Sequence, residues 1–113
     1  MSKILRGELW LVNLNPVRGH EQSGNRPCLV ISVNLFNQTA AELLIVLPIT
    51  SKDKKIPFHV SIEPPEGGIS IISFIKCEDV RSVSTERLTR CLGQVSEITL
   101  QKVEERLRIL MGL

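Results

Sequence analysis

Apolar residues come in short runs along most of this chain and take up helical spacing only near its end. Residues 8–14, ELWLVNL, carry apolar side chains on both parities, which predicts a strand with both faces covered. Its tryptophan, Trp10, reads as a core anchor. Residues 27–33 form a second apolar, β-branched run and predict a buried strand. Asn34-Leu35-Phe36-Asn37 predicts a helical turn, with Asn34 suited to cap it. Residues 42–50, ELLIVLPIT, are the most apolar segment and predict a central strand, with a bulge or an edge near Pro48.

Phe58, Val60 and Ile62 alternate with His59, Ser61 and Glu63, the pattern of a half-buried strand that leaves His59 on the exposed face. Pro64-Pro65-Glu66-Gly67-Gly68 is a turn signal that predicts a hairpin connection. Strands follow at residues 69–77, 80–83 and 90–95, with a turn started by Ser84-Thr85-Glu86. The period then changes. Ser96 can cap a helix, Glu97 suits its positive end, and Gly112 can stop it. Between them Ile98, Leu100, Val103, Leu107 and Leu110 make an apolar stripe, and Glu104 precedes Arg108 at the spacing of a helical ion pair. The expected fold is mainly β with α: a small, strongly curved antiparallel sheet or barrel with a C-terminal helix packed on it.

Composition bounds this picture. The 113 residues, 42% of them hydrophobic, suit one packed domain over residues 1–113, without repeats or low-complexity tracts. A formal charge of +2 permits an anionic partner without demanding one. No apolar run approaches the roughly 20 residues of a membrane span, and Arg6 and Glu8 interrupt any secretory signal at the start, so the chain reads as cytoplasmic. Cys28, Cys77 and Cys91 stand apart in apolar, strand-like contexts and read as core thiols; no spacing suggests a metal site or a disulfide.

The candidate chemistry lies in residues 16–33, PVRGHEQSGNRPCLVISV. A polar loop with glycines at 19 and 24 runs into the apolar strand, and Arg26 sits at the junction, held extended by Pro27. From this stretch alone, a surface arginine at a strand entrance is the simpler reading. Lys52, Lys54, Lys55, Arg18 and Arg81 could form a phosphate track, though a solvated surface explains each lysine as well. Aromatic content of 4% argues against a broad stacking platform for single strands.

In order, RGELWLVNL, PVRGHEQSGNRPCLVIS, LPITS, KCEDVRSV and LGQVSEITLQKVEERLRILMGL resemble the MazF/PemK family of toxin endoribonucleases over nearly the whole chain. The resemblance implies an SH3-like barrel, a homodimer, sequence-selective cleavage of single-stranded RNA without metal or cofactor, and a cognate antitoxin partner. It also implies Arg26 and Thr50 as the catalytic pair, with Glu21 and His20 as candidates for proton handling or orientation. Arg18, Gly19, Gln22, Ser51, Lys52, Asp79 and Arg81 are the expected RNA contacts. Where the family often reads Cys-Asp-Gln-Ile-Arg, this chain has Cys77-Glu78-Asp79-Val80-Arg81, which exchanges a neutral amide for a charged acceptor and bears on base preference.

The chemistry stands without the family. RNA carries its own nucleophile, the 2′-hydroxyl. An enzyme must align that hydroxyl, move its proton, and neutralise the charge on the phosphorane. Arginine grips phosphate through two parallel hydrogen bonds, and a threonine hydroxyl can donate a third. The alternative is a CcdB-like poison of DNA gyrase, which shares the barrel and acts through a helix surface without cleaving anything. It has no need of an Arg26–Thr50 pairing.

Overall fold

The computed structural model describes residues 3–15 and 24–113. Expected site residues Arg18, Gly19, His20, Glu21 and Gln22 lie outside the described residues. Seven strands and two helices follow in the order β1 (Glu8–Asn13), β2 (Asn25–Val30), α1 (Asn34–Asn37), β3 (Leu43–Thr50), β4 (His59–Ile62), β5 (Ser73–Lys76), β6 (Arg81–Ser84), β7 (Leu88–Gln94) and α2 (Glu97–Met111). All pairings are antiparallel, and the sheet does not close: its order is β4-β5-β3-β2-β1-β7, with β6 also on β3. This is the expected β-rich fold with a C-terminal helix, in the open form of an SH3-like barrel.

Strand β3 organises it. One edge pairs with β2, over Val46 to Pro48, whereas the other pairs first with β6, over Leu43 to Val46, and then with β5, at Ile49 and Thr50. Pro48 falls in the interval between these two partners. Ile45 offers its carbonyl to Ile31 on the β2 side, so alternation turns the even positions, Pro48 included, toward the other edge. The missing N–H is therefore needed by neither partner. Pro48 sits in mid-strand, fully buried, and not at the bulge or edge expected from composition.

Alternation then puts both faces of the sheet in apolar surroundings. Leu9, Leu29, Leu47 and Ile49 meet Val60, Ile62 and Ile75 and, from α2, Leu100 and Val103. Val12, Leu14, Cys28, Val30, Leu44, Val46 and Val83 form a second cluster on the opposite parity, with Trp10 partly buried against it. Each fully buried Val, Leu or Ile contributes about 1.5–3 kcal/mol. Helix α2 follows its sequence signals: the Ser96 hydroxyl accepts from the Thr99 N–H, and Gly112 closes the helix at φ 68°.

Several expectations are corrected. Strand β2 begins at Asn25 rather than 27 and ends at Val30 rather than 33, with Arg26 extended as its second residue. Asn34 does not cap α1; its Oδ1 accepts from the Arg6 N–H at 2.7 Å. Strand β5 spans only Ser73–Lys76, and Ile71 and Ile72 are exposed in the loop before it. Ile98 and Leu110 are exposed, so the buried stripe of α2 narrows to Leu100, Val103 and the half-buried Leu107. Glu104 reaches Arg6 at 2.7 Å, tying the helix to the first strand's approach. Cys91 is exposed, unlike Cys28 and Cys77, and all three thiols are free.

Candidate active site

Strand pairing brings Arg26 and Thr50 together. Cys28 lies opposite Pro48 across β2 and β3, and continuing that register by two residues sets Arg26 opposite Thr50. Adjacent strands are about 4.8 Å apart, so two polar side chains of like parity end side by side on neighbouring strands. Both line one groove of about 350 Å³, together with Leu11, Pro27, Ser51, Arg90 and the segment from Gly68 to Ile71.

Local structure prepares each group. Arg26 is held extended by pairing with Val12 of β1 and is exposed. Thr50 ends β3, where the chain turns, and its Oγ1 accepts from the Lys52 N–H at 3.2 Å. With that backbone N–H on the oxygen, the hydroxyl proton is free to point at an incoming acceptor. Ser51 also lines the groove, while Lys52 contributes its backbone to the Thr50 turn and has an exposed side chain. Lys55 is paired with Asp53 at 3.3 Å, which neutralises part of the expected lysine track.

Arg90 joins the groove without any signal in the sequence. It lies on β7 opposite Leu11 of β1 and brings a second guanidinium to the groove that holds Arg26. No local motif marks it; only the pairing of the first strand with the last places it there.

Asp79 and Arg81 stand elsewhere. Arg81 is paired with Val46, in the middle of β3, and neither residue is among those that line the groove. Asp79 meets Lys76 at 3.6 Å, and the neighbouring Glu78 meets His59 Nε2 at 2.9 Å. Both charges nevertheless reach Cys28, two residues inward of Arg26 on the same parity. Burial pushes the Cys28 thiol up to about 12, with Arg81 pulling it down and Asp79 pushing it up. A thiol so protonated is no nucleophile at neutral pH. The turn therefore flanks the Arg26 strand without belonging to the groove.

His59 contradicts its expected exposure. Its side chain is 3% exposed, and Nδ1 is buried without a partner. Helix α2 packs on β4, and Lys102, Glu105 and Arg106 share a cavity with His59, so the His59 end of the polar parity is covered while Ser61, two residues on, stays exposed. Among the described residues no group of three or more His, Cys, Asp or Glu side chains is placed to hold a metal ion.

Comparison with known proteins completes the site. Residues 5–111 match the model of the PemK-like, MazF-like toxin of type II toxin–antitoxin systems. The chain is 37% identical to endoribonuclease MazF9 of Mycobacterium tuberculosis, over 96% of each chain. It is 34% identical to endoribonuclease EndoA of Bacillus subtilis, over 97% of this chain and 96% of that one. Among solved structures, MazE–MazF of Deinococcus radiodurans superposes with a TM-score of 0.83 at 30% identity, covering 100% of this chain and 99% of that chain.

Proposed function

Because the chain belongs to the PemK-like, MazF-like family of toxins from type II toxin–antitoxin systems, we infer that it is a toxin endoribonuclease whose cleavage centre is the Arg26–Thr50 groove. The observation that carries the site is the β2–β3 register, which sets a fixed cation beside a hydroxyl donor at the mouth of one groove. A phosphodiester seated there receives two parallel N–H donors from Arg26 and one O–H donor from Thr50. These donors gain most when the phosphorane carries its extra charge, so they stabilise the transition state more than the ground state. The 2′-hydroxyl attacks the adjacent phosphorus, and the 5′-oxygen leaves with a proton. Arg26 is a poor base with a free-solution pKa above ~12, which leaves Glu21 and His20 as the proton handlers or as orienting groups for the arginine. Arg90, across the groove, holds a neighbouring phosphate.

Recognition of the RNA sequence falls to the groove's loops and to the Arg18, Gly19, Gln22, Ser51 and Lys52 positions, with Asp79 and Arg81 at the flank. A cognate antitoxin binds this toxin, as MazE accompanies MazF in the Deinococcus radiodurans structure, and the RNA groove is the face it would cover. The toxin works as a homodimer in the cytoplasm, and none of the described helices is long and apolar enough to cross a membrane. The gyrase-poison alternative is not favoured. The curated relatives are named endoribonucleases, and a protein that acts only by docking has no use for the Arg26–Thr50 arrangement.

The test is cleavage of a long, defined RNA by the purified protein, with both new ends identified. The expected products carry 2′,3′-cyclic phosphate and 5′-hydroxyl ends, and cleavage is expected to persist in chelator, since among the described residues no cluster of ligands is placed for a metal ion. Activity abolished by chelation and restored by magnesium would overturn the metal-free assignment.

A further inference from the structure

One wall of the groove, from Gly68 to Ile71 with Ser73, belongs to no strand for most of its length, yet it is held from behind at two levels. The first level is backbone against backbone. In the 3-10 turn Glu66–Gly68, a side chain at Gly68 would lie 1.9 Å from the Leu92 carbonyl oxygen, and one at Gly93 would lie 2.7 Å from the Gly67 carbonyl carbon. Gly67 also presses on Leu9, where a methyl group would come within 3.0 Å of that side chain. Three glycines thus let this turn lie directly on β7, a contact that no other residue permits. Their φ values at 67 and 68, +67° and +78°, are those glycine adopts without strain.

The second level is a single carboxylate. Glu66 Oε2 accepts from the Ser96 N–H at 3.0 Å, the Ser96 hydroxyl at 3.2 Å and the Thr99 hydroxyl at 2.5 Å. Ser96 is the N-cap of α2, and Thr99 is the first-turn residue whose N–H it caps. The negative charge therefore sits at the positive end of a 15-residue helix while its own backbone starts the groove wall. Hydrogen bonds to an ionised acceptor are about twice as strong as neutral ones. The backbone ties of the turn itself are local: Glu66 N–H to the Glu63 carbonyl, Gly68 N–H to the Pro65 carbonyl and Ile69 N–H to the Glu66 carbonyl.

We propose that Glu66 is a positioning residue for RNA cleavage: by anchoring the Glu66–Gly68 turn to the N-terminus of α2, it sets the groove wall from Gly68 to Ser73 against Arg26 and Thr50, and so sets substrate binding. This rests on the endoribonuclease reading of the groove. The wall flanks the reacting phosphate and contributes equally to bound substrate and transition state, so its displacement raises KM and leaves kcat in place.

Steady-state cleavage of a short RNA containing the mapped cut site distinguishes the roles. Glu66→Ala should raise KM by about 10-fold, the size that follows from losing roughly 1.4 kcal/mol of uniform binding, with kcat within about twofold of the parent. Glu66→Gln keeps a carbonyl acceptor and should recover most of that loss. Ser96→Ala combined with Thr99→Ala removes the donors and should reproduce the Glu66→Ala effect, without adding to it when all three are changed. An unchanged KM in Glu66→Ala would overturn the proposal, as would a fall in kcat at unchanged KM with a lowered melting temperature, since that pattern marks a purely structural tie. If Glu66→Ala does not fold, Glu66→Gln and the Ser96/Thr99 variant decide by the same split. A parent protein that cleaves no RNA would instead defeat the endoribonuclease reading itself.

Discussion

Two regions flank Cys28, and they hold their charges by different means. At the ends of β2 and β3, Arg26 and Thr50 are neighbours because the backbone register makes them so. In the turn from Lys76 to Arg81, charges are set by side-chain partners: Lys76 with Asp79 at 3.6 Å, and His59 with Glu78 at 2.9 Å. Arg26 is set by its backbone pairing with Val12 and Thr50 by its pairing with Phe74. Such ladders do not depend on the side chains they carry, so changes to these two side chains leave the strands paired. The turn cannot be altered so cleanly, because each charge there also supports its partner. Function and structure should therefore separate at the strand ends and mix at the turn.

The largest expected effect tests the first half of that contrast. Arg26→Ala and Thr50→Ala should each slow cleavage, Arg26→Ala by about 100- to 1,000-fold, the usual cost of one preorganised transition-state donor. Thr50→Ala should cost less, because a neutral hydroxyl gives a weaker bond to a developing dianion than a guanidinium does. Arg26→Lys keeps the charge but loses the planar fork, and most activity should still disappear. The double variant should lose less than the product of the single losses, since both groups serve one transition state. Melting temperatures should stay near the parent value, because neither residue lies in an apolar cluster. Near-parental rates in Arg26→Ala, with an unchanged melting curve, would remove the catalytic assignment.

Arg90→Ala comes next. Its guanidinium lies on the groove but across from the strand-end pair, so it should hold RNA rather than drive the reaction. Binding of a non-cleavable RNA should weaken, and the slope of log K against log salt should fall by about 0.7, the value for one phosphate contact on a single strand. A kcat loss as large as that of Arg26→Ala would show that the two arginines act as one unit.

Asp79→Gln then probes the turn. It removes the partner of Lys76 and one of the two charges that reach Cys28. Cut sites should shift in a long RNA while the rate at the preferred site changes by less than about tenfold, the range of a modest 1.4 kcal/mol change. Stability should fall by no more than about 1 kcal/mol, as for other partly exposed ion pairs. Identical cut sites and rates would reduce Asp79 to a structural partner of Lys76.

What could be read from the sequence follows the same division. Local signals placed α2 well: Ser96 caps it and Gly112 ends it, each by chemistry contained within a few residues. Central β3 was equally legible, since a long apolar run has little alternative to burial. Pro27 makes the extended conformation of Arg26 legible, but not that the strand starts as early as Asn25. Asn and Pro are poor strand formers, and it is pairing with Val12 and Asn13 of β1 that draws this end of β2 in. Alternation puts His59 on the wet face of β4, where Ser61 is indeed exposed, but the Glu78 turn and the α2 residues Lys102, Glu105 and Arg106 enclose the His59 side chain. Ile71 and Ile72 read as strand, yet the glycine contact with β7 diverts the chain before Ser73. Arg90 and Glu66 carried no sequence signal, because each owes its place to residues more than twenty positions away.

The smallest effect sharpens the comparison from the acid side, at the groove wall, which like the turn is held by side chains. Burial raises the Glu66 pKa, but hydrogen bonds from Thr99 and Ser96 outweigh it, and the carboxyl titrates below its ordinary 4.5. A carboxylate with a depressed folded-state pKa stabilises the protein above its unfolded pKa, and that contribution is lost as pH falls through the folded value. Glu66→Gln cannot titrate, so the parent's melting-temperature advantage over it should be constant above pH 4.5 and shrink below it. Screening by solvent at this partly exposed site keeps the whole effect under about 1 kcal/mol. Melting curves of the two proteins at closely spaced pH values provide the check. A gap that widens as the pH falls would mean that the Glu66 carboxylate is not favoured by its three donors, and the groove wall would then be held by the glycine contact alone.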